Sequence, residues 1–165
     1  AFSAPSFANQ PIQLSLPNTN LPAGNVEGFR LSALYGQTDT VKGLEVGVIG
    51  LVESNNFTGV HLGFLFGAQR VKNDFTGLSL SLANWHDNNG KGAVLGAVNY
   101  TKNNFTGVQV GFANWAGSLD GLQLGFVNGT NRINKGVQIG LINYDKSGTF
   151  VSDSFPVFPI VNGRF

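Results

Sequence analysis

The 165-residue chain contains no cysteine and no methionine. The first absence excludes disulfides, thiolate metal sites and cysteine nucleophiles together. The second leaves the chain without an initiator, as expected of an exported protein whose signal peptide has been removed ahead of "AFSA", or of a trimmed chain. Charge is scarce as well. Asp, Glu, Lys and Arg make up 12% of residues, against roughly a quarter in an ordinary soluble domain. Ten Lys+Arg balance nine Asp+Glu, so the chain carries no basic footprint for nucleic acid. No run of about 18 apolar residues occurs, which excludes a transmembrane helix.

What the chain has in quantity is glycine, 23 residues, about twice the usual share. The glycines are ordered. "GVQVGFAN" from Gly107, "GLQLGFVN" from Gly121 and "GVQIGLIN" from Gly136 align without a gap, and weaker copies begin at Gly28, Gly43, Gly59, Gly77 and Gly92. The leading glycines lie 15, 16, 18, 15, 15, 14 and 15 residues apart, a period constant enough to define a repeat architecture. Within each copy apolar residues (Val108, Val110, Phe112) alternate with small or polar ones (Gly107, Gln109, Gly111, Ala113), the period of a two-faced strand. Between copies lie Asn-, Asp- and Gly-rich turn segments such as "HDNNGK" and "TKNN". Residues 1–25 read as an N-terminal extension with a possible first strand at Ile12–Leu16, and residues 26–165 as a single repeat-built β domain.

Connectors this short cannot carry the chain across to a parallel neighbour, so consecutive strands are expected to pair antiparallel or to turn a corner into another sheet. The reading this favours is a small antiparallel up-and-down β-barrel of 8 to 10 strands. Its apolar face would look at outer-membrane lipid, and a filled lumen would hold the third-position column. That column includes Arg30, Glu45, His61, Gln109, Gln123 and Gln138, the first three able to form a charge-assisted network in a confined space. Trp85, Tyr100, Trp115 and Tyr144 after the strands, Phe57, Phe75 and Phe105 before the glycines, and the terminal Phe165 would form aromatic girdles at the two membrane interfaces. The alternative is a β-solenoid or stacked sheet, with Val, Leu and Phe in a dry core and the Gln column facing solvent.

The copies from Gly92 onward resemble the tandem G-V-Q-x-G-x-x-N repeats of a family of bacterial surface-repeat proteins, most clearly at Gly107, Gln109, Gly111 and Asn114 and their two following copies. The likeness covers roughly Gly28 to the end. It implies export to the cell surface or outer membrane, and it brings no catalytic residues. The fragment Q-x-G-x-x-N also looks like part of the repeats of curli-type amyloid subunits, whose second Gln/Asn ladder is missing here.

Candidate chemistry is thin. His61 falls in the polar column and His86 in a turn, without a second histidine at ligand spacing. Glu27, Arg30 and Glu45 read as a structural salt bridge before an acid/base cluster. The glycine pairs lack the helix and Lys of a phosphate cradle. Asn56, Asn99, Asn104 and Asn128 match the glycosylation sequon. The recurring eighth-position Asn (Asn84, Asn99, Asn114, Asn128, Asn143) reads as a strand terminator, or as a stacked ladder in a solenoid. The expectation is therefore a non-enzymatic outer-membrane barrel, structural, anchoring or partner-binding, without cofactor or metal. Its partners would be outer-membrane lipid, other surface proteins or further copies of itself. The runner-up is a secreted repeat protein forming a surface layer or fibre.

Overall fold

In the computed structural model, which describes residues 10–17, 19–63, 67–149, 152, 154 and 156–164, the chain is all β. Its strands are β1 (Gln10–Leu16), β2 (Thr19–Leu21), β3 (Val26–Gly63), β4 (Ala68–Leu80), β5 (Ala83–His86), β6 (Asn89–Leu95), β7 (Val98–Val110), β8 (Ala113–Leu124), β9 (Val127–Asp145) and β10 (Val157–Arg164). Neighbours from β1 and β3 through β9 pair in parallel, one coil above the next. Gly77 lies against Gly92, Gly92 against Gly107, Gly107 against Gly121, and Gly121 against Gly136. Each repeat is thus one full turn of a β-solenoid.

This corrects the antiparallel barrel and, with it, the reading as a membrane-spanning barrel with a filled lumen. A parallel return needs a dozen or more residues, and no single connector supplies them. The whole repeat of about 15 residues does, because the segment between two copies of the motif is itself strand and lies on another side of the coil. The chain turns its corner at the fifth and sixth positions, and strand structure is interrupted there at Ser81–Leu82, Gly96–Ala97, Gly111–Phe112 and Gly125–Phe126, while β3 and β9 run through the same positions unbroken. Even there the coils stay bonded: Gly111 N donates to Leu124 O and Gly125 N to Ile139 O, both at 3.0 Å.

The leading glycines hold the coils together. Gly107 has φ of +131°, and a Cβ there would lie 1.9 Å from Gly92 O. The same conflict recurs at Gly43, Gly59, Gly77, Gly92 and Gly121, so the column admits only residues without a Cβ.

Both ends carry an antiparallel strand in place of a further coil. At the N-terminal end the three-residue β2 pairs antiparallel with β1. At the C-terminal end β10 runs antiparallel along β9, with a register shift between Phe158 and Ile160, either side of Pro159. A proline in an edge strand removes a donor from its outer row.

Candidate functional site

The interior of the coil is mostly polar. Arg30, Glu45, His61, Gln109, Gln123 and Gln138 are all 0% exposed. This reverses the solenoid expected from the sequence, in which glutamines faced water and Val, Leu and Phe the core. Burial costs these amides little because each is hydrogen-bonded. Gln123 Nε2 donates to Gln109 Oε1 and Gln138 Nε2 to Gln123 Oε1, each at 2.8 Å. Asn162 of β10 ends the ladder by donating to Gln138 Oε1 at 3.0 Å. A second ladder, of asparagines, runs beside it, correcting the expectation that the chain lacks one and that these asparagines end the strands. The Nδ2 groups of Asn84, Asn99, Asn114 and Asn128 each donate to the Oδ1 of the next asparagine, Asn143 last, at 2.8–2.9 Å. Asn99 and Asn128 are sequon residues held inside this ladder and closed to modification.

At the N-terminal end the column is charged. Arg30 Nη1 lies 2.6 Å from Glu45 Oε2, and Glu45 Oε1 lies 2.9 Å from His61 Nδ1, all fully buried. Burial alone would raise the Glu45 carboxyl. The His61 hydrogen bond and charge, with the Arg30 guanidinium, outweigh it and hold the carboxyl below its ordinary value. Glu27 sits on the exposed surface.

The apolar interior is a column of Val41, Phe57, Phe75, Phe105, Leu119 and Ile133, at most 1% exposed. The phenylalanines are therefore core, not girdle. Gly90 interrupts this column, and the ring of His86 fills the space. It stacks on Phe75 at 4.5 Å and faces Phe105 at 6.4 Å, and its Nδ1 lies 2.9 Å from Thr101 Oγ1. His86, a turn residue by its sequence neighbours, is 1% exposed. Burial pushes its ring pKa down to about 3, against a smaller opposing pull from Asp87.

The outer surface is the unusual part. Every second-, fourth-, sixth- and seventh-position residue is Ala, Val, Leu, Ile or Phe, and none of the described ones is buried. At the corner Phe112, Phe126 and Leu141 are 63%, 52% and 61% exposed, and the Phe112 and Phe126 rings stack at 5.2 Å. The rows flanking the corner enclose an apolar groove of about 710 Å³ floored by Gly96, Gly111, Gly125 and Gly140. Past the corner Trp85, Tyr100, Trp115 and Tyr144 line up on one side. Trp85 stacks on Tyr100 at 4.1 Å, and Trp115 faces Tyr144 at 6.3 Å across Gly129. Because the coils are parallel, these aromatics form one row and not two girdles. Phe165 lies outside the described residues. Among the described residues no group of three His, Asp or Glu side chains is placed to hold a metal.

No family model, curated protein or solved structure matches this chain.

Proposed function

We propose that the chain is a non-enzymatic β-solenoid repeat protein of a bacterial surface, acting by association through its apolar outer surface as a unit of a surface layer. The observation that carries this reading is the set of uncharged apolar columns running the length of the stack. Contiguous exposed apolar surface on this scale marks an interaction site. Side association fits better than end-to-end growth into a fibre, since the antiparallel β2 and β10, and not a further parallel coil, occupy the two ends of the stack.

The test is association in plain buffer. Full-length wild-type chain is expected to sediment as oligomers and to bind a hydrophobic dye while folded. The variant carrying Phe112→Glu, Phe126→Glu and Leu141→Glu is expected to keep its circular dichroism, sediment as a monomer and leave the dye dark. A wild-type chain that is monomeric and dye-silent contradicts the reading.

A further inference from the structure

The apolar surface turns a corner. A second copy laid flat on one side would cover the second to sixth positions over eight coils, roughly 38 Å by 16 Å from the spacings of strands and residues. That is about 600 Å² of flat area per copy, at the low end of the roughly 600–1,000 Å² per partner of a standard interface. It would leave the seventh-position residues (Val98, Val127, Ile142) and the aromatic row uncovered on the other side of the ridge. A fluid apolar phase covers both sides at once and fills the groove between the rows without matching its shape.

Charge is arranged to suit such a phase. The four apolar columns contain no charged residue. In the C-terminal half, where Phe112, Phe126 and Leu141 form the apex, Lys91 and Lys135 border one margin of the ridge and Lys102, Arg132 and Lys146 the other. All five are exposed, against two half-buried surface carboxylates among the described residues of that half, Asp120 and Asp87, the latter already paired with Arg70. Between apex and cationic margin stand Trp115 and Tyr144, the residue types that settle where hydrocarbon meets headgroups.

We infer that this ridge rests in the surface of a phospholipid bilayer carrying anionic headgroups, with the apex among the acyl chains and the lysines and arginine on the phosphates. The solenoid lies on the membrane and does not cross it, as interfacial amphipathic elements do. The inference rests on the reading of this surface as an association surface and names its partner where a membrane is present; the oligomers expected in plain buffer are how the same ridge is covered without one.

The test floats full-length chain with vesicles of phosphatidylcholine and phosphatidylglycerol, and follows the emission of Trp85 and Trp115 with lipids brominated along their chains. Wild-type chain should float, shift its emission to the blue and be quenched. Salt should weaken binding in part. The variant with Phe112→Glu, Phe126→Glu and Leu141→Glu should lose more than about a hundredfold in partitioning, given the apolar area it removes, with circular dichroism unchanged. Phe112→Leu, which keeps the apex apolar, should still float. Flotation that survives the triple change overturns the inference, as does a folded chain indifferent to vesicles. If that indifferent chain still forms oligomers that the triple change dissolves, association through the ridge stands and its partner is a second copy. If it forms none, both proposals fall.

Discussion

Gln123 donates through Nε2 both to Gln109 Oε1 at 2.8 Å and to Gly129 O at 3.0 Å, and Gln138 repeats the pair one coil later, to Gln123 Oε1 at 2.8 Å and Tyr144 O at 3.0 Å. A buried glutamine therefore ties its coil to the preceding one and crosses the inside of its own coil. Gln123→Met keeps the volume but leaves Gln109 Oε1, Gly129 O and Gln138 Nε2 without this partner. It is expected to cost about 2–4 kcal/mol in urea unfolding. Gln123→Glu should cost more, since its carboxylate would face Gln109 Oε1 inside the coil. Equal stability of Gln123→Met and wild type would show that the ladder contributes nothing.

The buried ion pair should respond unequally to single and double changes. Glu45→Leu strips Arg30 and His61 of their shared acceptor and is expected to cost about 3–5 kcal/mol, whereas Arg30→Met together with Glu45→Leu should recover a large part of that loss. Equilibrium unfolding of the two variants decides it. A double variant no more stable than the single one would mean that the charges are not coupled as their 2.6 Å contact implies.

Acid should act on two groups in separate windows. The His86 ring has a folded pKa of about 3 against an ordinary 6.5. The folded form therefore resists a proton that the unfolded chain accepts. Its contribution is complete above pH 6.5 and is lost as pH falls from there toward 3, by up to about 1.4 kcal/mol per unit. Glu45 is held below its ordinary value of 4.5, so its contribution is lost only as pH falls below that value. Between about pH 6.5 and about pH 4.5 the slope is mainly that of His86. His86→Phe, which keeps a ring against Phe75, should flatten the stability profile there and leave the loss below it. Parallel profiles for variant and wild type would remove His86 as the cause.

Gly107→Ala places a Cβ 1.9 Å from Gly92 O in a backbone of φ +131°. Both effects oppose it, and a loss of about 3 kcal/mol or more is expected from thermal or urea unfolding. Gly129→Ala meets a side chain instead, Trp115 Cε3 at 2.6 Å. It should be milder, and should change tryptophan emission as the ring swings away.

The sequence shows much of this fold on its face. The glycine period sets the coil length, the alternation of Val108, Gln109 and Val110 sets the strand, and Arg30, Glu45 and His61 can be placed in one column with the glutamines. It does not show which side is inside. Period two says only that a strand has two faces, and the habit of burying the apolar one fails here, because stacked amides satisfy one another at the coil spacing. Phe57, Phe75 and Phe105, two residues before each leading glycine, carry the apolar core, and the turn chemistry around them disguises it. His86 could have been found by asking what occupies the space left by Gly90, the one small residue in that column. The parallel stacking was hidden for a related reason: each connector looked too short to cross over, when it was one side of the crossing.

The most direct test of the parallel stack uses the absence of native cysteine. Val108 and Leu122 are register partners on adjacent coils, so their Cα atoms should lie about 4.8 Å apart, inside the about 4.4–6.8 Å span of a disulfide. Val108 and Phe126 are offset by four residues and should lie beyond reach. In an antiparallel hairpin turning at residues 115–119 the reach of the two pairs is exchanged. Val108→Cys with Leu122→Cys is expected to oxidise fully to an intramolecular disulfide under mild conditions, and Val108→Cys with Phe126→Cys to stay reduced. The opposite pattern would contradict the solenoid and everything built on its outer face.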